Sequence, residues 1–198
     1  MADPKSSETT PLRAADKIRQ TARALFYRDG IRAVGVDEIV ARAGVTKPSL
    51  YRTYRSKDEL TVAVLLESTE TFWGYFDEAI LAHPGDPRAQ LLAFFAALAE
   101  RTVQNDYRGC PLSNAAVEYP QKGHIARAAA QDHKGEVRQR LRDKARELGV
   151  ANPEALGDAL LLLLEGAYLT TQLFDTGRPS AEVGRAAEAL IDAYRGVS

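Results

Sequence analysis

Residues Val36 to Tyr54 read VDEIVARAGVTKPSLYRTY, and this stretch decides the fold. Asp37 and Glu38 stand where a helix start favours negative charge, and Ile39, Val40 and Ala43 supply one apolar side. Gly44 then offers the backbone freedom of a tight turn, with Val45 as an apolar plug behind it. Thr46 suits an N-cap, and Pro48 falls within the first turn of the next helix, where a missing N–H costs nothing. Leu50 is the buried residue of that second helix. The pattern predicts a helix-turn-helix over about residues 36–54.

Such a unit reads DNA by placing its second helix in the major groove while the first crosses the backbone. Thr46, Lys47 and Ser49 stand at the N-terminal end of the second helix, where hydroxyls and an ammonium can approach base edges. Tyr51, Thr53, Tyr54 and Lys57 follow at spacings that suit flanking phosphates. Arg52 and Arg55 are open between phosphate contact and plain solvation, and Tyr54 is also readable as a spacer between helices.

Charge supports the assignment. The whole chain has a net charge of −1, yet residues 1–60 hold 12 Lys/Arg against 8 Asp/Glu, and residues 61–198 hold 14 against 19. A basic N-terminal unit on an acidic body is the asymmetry expected when only one part meets phosphate.

Working outward, residues 1–11 are polar, contain two prolines and show no periodicity, so a disordered arm is expected there. Ile18, Ala22, Leu25 and Phe26 share one helical face that ends at Asp29-Gly30. Ser56 and Glu59 have capping-box spacing and open a long helix that continues to about His83. Further helices are predicted at about 88–105, 111–118, 123–148, 153–175 and 180–195. No stretch alternates as a strand does. The fold class is all-α with about nine helices: a DNA-binding domain over 12–57 and a larger helical domain over 58–198. One cysteine excludes an intrachain disulfide framework, and the opening residues lack an apolar secretory segment, so a soluble cytoplasmic protein is expected.

The run AGVTKPSLYRTYRSKDEL resembles the signature of the tetracycline-repressor (TetR) family of bacterial transcription regulators. The turn glycine is Gly44, the Leu-Tyr pair Leu50-Tyr51, the following aromatic Tyr54, and the Ser-Lys-x-x-Leu start of the fourth helix Ser56, Lys57 and Leu60. Leu25-Phe26 and Gly30 match that family's first helix. The similarity covers about residues 12–62. It implies an all-helical homodimer, a double-stranded operator of near-palindromic sequence and a helical ligand-binding domain; a small apolar or amphipathic effector is expected there, and with no phosphate loop or catalytic constellation in the sequence no cofactor is expected. It also implies phosphate contact by Tyr51 and Lys57 and base approach by Thr46, Lys47 and Ser49. A hydroxyl residue is common at the start of the family's second helix; Gly35 and Val36 stand there instead.

In the body, two helices carry wide apolar faces: Leu156, Leu160, Leu163, Leu164, Ala167 and Tyr168, then Val183, Ala187, Leu190, Ile191 and Tyr194. From pattern alone they suit either a four-helix dimer interface or intrachain core, and the family resemblance favours the interface. Phe72, Trp73, Phe76, Phe94, Phe95, Tyr107 and Tyr168 are candidates to line an effector pocket, with Cys110, Asn114, Glu118 and Tyr119 beside them; core packing is the competing reading. The sequence places no cation firmly beside Cys110, and a lone cysteine is usually inert packing. His124 and His133 do not share a helical face, and no metal site is expected. A helical ligand-binding protein or small enzyme with a vestigial DNA-binding unit is the rival function.

Overall fold

Helix boundaries follow the local signals closely. The computed structural model describes residues 13–174 and 176–196, and among these there are nine α-helices and no strand. The expected arm over residues 1–11 lies outside the described residues. The chain forms two compact units, the first ending at Thr61 and the second beginning at Val62, one helical turn beyond the boundary expected from sequence.

The first unit holds α1 (Ala14–Asp29), α2 (Val36–Ala43), α3 (Lys47–Thr53) and the first turn of α4 (Lys57–Ala82). α1 packs on both α2 and α3, and α2 on α3. Ile18, Ala22 and Leu25 of α1, Ile39 of α2 and Leu50 of α3 are all buried, as their periodicity predicts. Each of these isoleucine and leucine side chains contributes about 2 kcal/mol on removal from water, and the Ala22 methyl less. The turn works as read. Gly44 adopts φ 64°, ψ 37°, a left-handed conformation that terminates α2 and that an L side chain would strain. The capping box differs in one detail: Ser56 Oγ accepts from Glu59 N at 3.1 Å, while the Glu59 carboxylate reaches past the cap to Arg55 N at 2.8 Å.

The second unit contains the rest of α4 with α5 (Pro87–Thr102), α6 (Pro111–Glu118), α7 (Ile125–Glu147), α8 (Pro153–Leu173), a 3-10 turn at Pro179–Glu182 and α9 (Val183–Arg195). α8 ends at Leu173, short of the expected end at Asp175, which lies outside the described residues. α7 and α8 pack closely because Gly157 lets them: a Cβ there would stand 2.7 Å from the Arg142 backbone. Asp158, one residue on, accepts paired hydrogen bonds from both Arg138 and Arg142 at 2.6–2.8 Å. The two guanidiniums hold its carboxyl well below the usual carboxylate range. α4 joins through aromatic rings, with Phe72 and Phe76 edge-on to Phe94 at 5.8 and 5.1 Å between centroids.

The proposed dimer face requires correction. Leu156, Leu160, Leu164, Ala167, Val183, Ala187 and Ile191 are buried within the single chain, and Leu163, Leu190 and Tyr194 are half-buried. These helices pack on each other and on α5 and α7, and that packing consumes the face. A different stripe is left outside. Leu162, Leu169 and Leu173 of α8 are 74%, 58% and 64% exposed, and Gly166 completes their i, i+4, i+7, i+11 spacing. On α9 the exposed small residues are Ala186, Ala189 and Ala193.

Candidate functional site

α3 is short and mostly outside. Of its residues only Leu50 is fully buried; Lys47, Pro48, Tyr51, Arg52 and Thr53 are exposed, and Ser49 is half-buried. Its start is fixed by Thr46, whose Oγ1 accepts from Ser49 N at 3.3 Å. The same hydroxyl donates to Ser49 Oγ at 3.1 Å, and Arg52 Nη2 donates to that Ser49 oxygen at 2.8 Å. Thr53 Oγ1 donates back to the Ser49 carbonyl at 3.3 Å. Lys47 Nζ meets the Asp37 carboxylate at 2.7 Å, and this hydrogen bond and charge raise the lysine's pKa above its ordinary value.

The seven residues assigned to DNA from sequence therefore divide. Thr46, Lys47, Ser49, Tyr51 and Thr53 come together on one exposed helix and its cap. Tyr54 does not belong with them: it is 7% exposed. It follows the helix at the C-cap position, extended at φ −127°, and its ring is folded into the core of the unit. Phosphate contact by Tyr54 is replaced by a packing role. Lys57 is half-buried, with its ammonium 5.9 Å above the centre of the Phe26 ring. The residue that sequence left open, Arg52, stands in the middle of the exposed hydroxyl network.

In the second unit, Phe72, Phe76, Phe94 and Phe95 are each at most 8% exposed and touch one another edge-on or stacked. That is core packing. Trp73 is half-buried, with the Arg140 guanidinium 3.9 Å over its ring. The cluster also includes a residue that sequence weighed only as a metal ligand. His133, 3% exposed, meets Phe72 and Trp73 edge-on at 4.9 and 5.5 Å, and neither ring nitrogen has a hydrogen-bond partner. Burial, with the charge of Lys134 adding to it, lowers its pKa from 6.5 to about 4. The signal was present: Ala126, Ala130, His133, Val137, Leu141 and Ala145 form one buried register along α7.

Lys134 gathers the polar candidates. Its ammonium lies 3.4 Å from Cys110 Sγ, 2.6 Å from the Glu165 carboxylate and 5.1 Å over the Tyr168 ring. Ser113 Oγ donates to the other Glu165 oxygen at 2.7 Å. A cation thus stands beside Cys110 after all, brought from α7 across α6. Burial opposes the lysine's charge, but Cys110 and Glu165 outweigh it and raise its pKa. Burial likewise pushes the Tyr168 phenol well above its ordinary range. Asn114 is held by Gln172 at 3.1 Å and by the Arg108 carbonyl at 3.0 Å. Tyr119 stacks on His124 at 3.9 Å between ring centroids. Tyr107 and Glu118 are half-buried.

Comparison with known proteins agrees with this architecture. Residues 18–64 match the family described as bacterial regulatory proteins, tetR family, and residues 87–186 match the C-terminal domain of LmrA/YxaF-like transcriptional regulators. The transcriptional regulator AcuR of Cereibacter sphaeroides is 30% identical over 153 residues, covering 73% of this chain and 69% of AcuR. The transcriptional activator FasR of Mycolicibacterium smegmatis is 36% identical over 88 residues, covering 44% of this chain and 39% of FasR. The crystal structure of SCO4454, a TetR-family transcriptional regulator from Streptomyces coelicolor, superposes with a TM-score of 0.84 at 28% identity, covering 93% of this chain and 96% of that one. With an exposed, capped second helix on a three-helix unit and both halves of the chain matched, the protein belongs to the tetR family and is a DNA-binding transcriptional regulator.

Proposed function

We propose that the chain acts as a homodimeric, effector-responsive repressor that binds a near-palindromic double-stranded operator with one α3 in the major groove of each half-site. The observation that carries this reading is α3 itself: a capped helix whose exposed surface is made of hydroxyls, Tyr51 and two cations. Half-sites one helical turn apart suit a two-fold dimer. The surface that suits dimerisation is the exposed stripe of Leu162, Leu169 and Leu173 with the alanines of α9. An apolar face of that kind on two long helices is better covered by a second copy than left in water.

The effector is a small apolar or amphipathic molecule acting in the second unit, with the Lys134, Glu165 and Ser113 cluster as its polar contact. Its effect would be on the spacing of the two reading helices, since a change in that spacing mismatches half-sites. Repression follows by occlusion; FasR is named an activator, so the sign of regulation is tested separately by transcription in vitro.

A gel shift or anisotropy titration on DNA upstream of the protein's own coding sequence tests the reading. Tight binding that is sequence-selective and falls steeply with salt is expected. Binding that does not distinguish that DNA from a shuffled duplex, there and after selection from random sequence, would sink it. No helix among the described residues is long and apolar enough to cross a membrane.

A further inference from the structure

We infer that Arg52 is the principal base-reading side chain of α3 and that Ser49 is its positioning residue; the inference rests on the reading of α3 as the groove helix. Three cations lie on α2 and α3. Arg42 is closed on Glu38 at 3.1 Å and Lys47 on Asp37 at 2.7 Å. Arg52 has no carboxylate partner among the described residues, and its one hydrogen bond is to Ser49 Oγ at 2.8 Å.

That bond settles where the guanidinium stands. A helical side chain tilts toward the N-terminus of its helix, and the link from residue 52 back to residue 49 carries the head group a full turn in that direction. Arg52 is near the end of α3 in sequence, yet its charge sits beside Thr46 and Ser49, at the end that enters a groove. One of five N–H donors is used, and four remain. The planar fork fits the O6 and N7 acceptors of a guanine in the major groove, a pairing that a point-charge ammonium reproduces poorly.

Ser49 changes role by the same geometry. Its oxygen accepts from Thr46 Oγ1 at 3.1 Å and from Arg52 at 2.8 Å, so both lone pairs are engaged and only its own proton is left to offer. Thr46 is anchored as the helix cap. The relay runs from a fixed backbone feature, through Ser49, to an arginine that would otherwise sample many rotamers. Part of the ordering cost of docking is thereby met before DNA arrives.

The test is selection from a library of random double-stranded DNA with the full-length wild type, Arg52→Ala, Arg52→Lys and Ser49→Ala, each confirmed folded by circular dichroism. Wild type should enrich a motif with one guanine fixed in each half-site. Arg52→Lys keeps the charge and should relax that position alone, with guanine preference falling roughly tenfold or more. Arg52→Ala should do the same. Ser49→Ala should relax the same position less, while its salt slope and melting temperature stay those of wild type. An unchanged motif bound more weakly by both Arg52 variants would overturn the assignment and make Arg52 a phosphate contact. Relaxation by Ser49→Ala at a different base would overturn the relay. A wild type that enriches no motif would instead overturn the groove-helix reading on which this inference rests.

Discussion

The exposed surface of α3 and the apolar faces of α8 and α9 were both singled out from sequence, and they fared differently. On α3, five of the seven assigned residues lie on the exposed helix or its cap. On α8 and α9, eight of the eleven residues named for the two apolar faces are buried inside the protomer, and the exposed stripe is made of others. The difference lies in what each pattern encodes. A short helix with one buried leucine leaves everything else outside, so its chemistry is read directly. A helix such as α8, which runs ALLLLLEGAYL over residues 159–169, is apolar on nearly every side. Periodicity then reports that it is buried without saying by what.

The largest test of that contrast compares two adjacent kinds of leucine on α8. Leu160→Ala removes a fully buried side chain and is expected to cost about 2–5 kcal/mol, seen as a lowered denaturation midpoint. Leu162→Glu with Leu169→Glu should leave the fold intact but convert the dimer to monomer in light scattering at micromolar concentration. A double variant that remains dimeric would remove the exposed stripe as the interface.

His133 provides the next largest effect. Its pKa of about 4 in the fold, against 6.5 unperturbed, means that the unfolded chain takes up a proton between those values while the folded chain does not. The contribution is fully present above pH 6.5 and is lost as pH falls through 4, by about 3 kcal/mol. Urea midpoints measured from pH 7 to 4 should drop more in wild type than in His133→Leu. Equal slopes would show that the imidazole is not held neutral. Because both its nitrogens are unpartnered, the leucine variant should also be no less stable at pH 7.

In the first unit the effects are smaller. Thr46→Ala removes the cap of α3 and should cost about 1 kcal/mol, with a loss of DNA affinity that exceeds what melting alone accounts for if the hydroxyl also anchors Ser49. The smallest concerns the Lys47–Asp37 pair. If Lys47 leaves Asp37 for phosphate on binding, Lys47→Ala lowers the salt slope by about one per subunit, and Asp37→Asn strengthens binding to random duplex at low salt. A slope unaffected by Lys47→Ala would leave the lysine as a strut within the helix-turn-helix.

Much of this was legible beforehand. The helix borders at Gly44, Thr46, Ser56, Pro87, Pro111 and Pro153 rest on caps and prolines whose effects are local, and each appears within a residue or so of its expected place. Tyr54 was assigned to phosphate, because a tyrosine just after a short exposed helix stands at phosphate spacing; the extended C-cap at that residue turns it into the core instead. Cys110 was read as isolated, since Lys134 and Glu165 stand 24 and 55 positions further along and no local rule brings them to it. Arg52 was undecided for a related reason. Its position puts it late in α3, and only the hydrogen bond to Ser49 reveals that its charge sits a turn earlier.

The amino-acid sequence by itself determined the all-helical class, the helix-turn-helix and the basic character of the unit that contains it, because capping, turn chemistry and charge act over a few residues. Only the tertiary structure decided which leucines of α8 are core and which are surface, which cation stands beside Cys110, and which side chain of α3 is left to read. Those depend on which helices share a face, and side chains far apart in the chain compete for the same partners there.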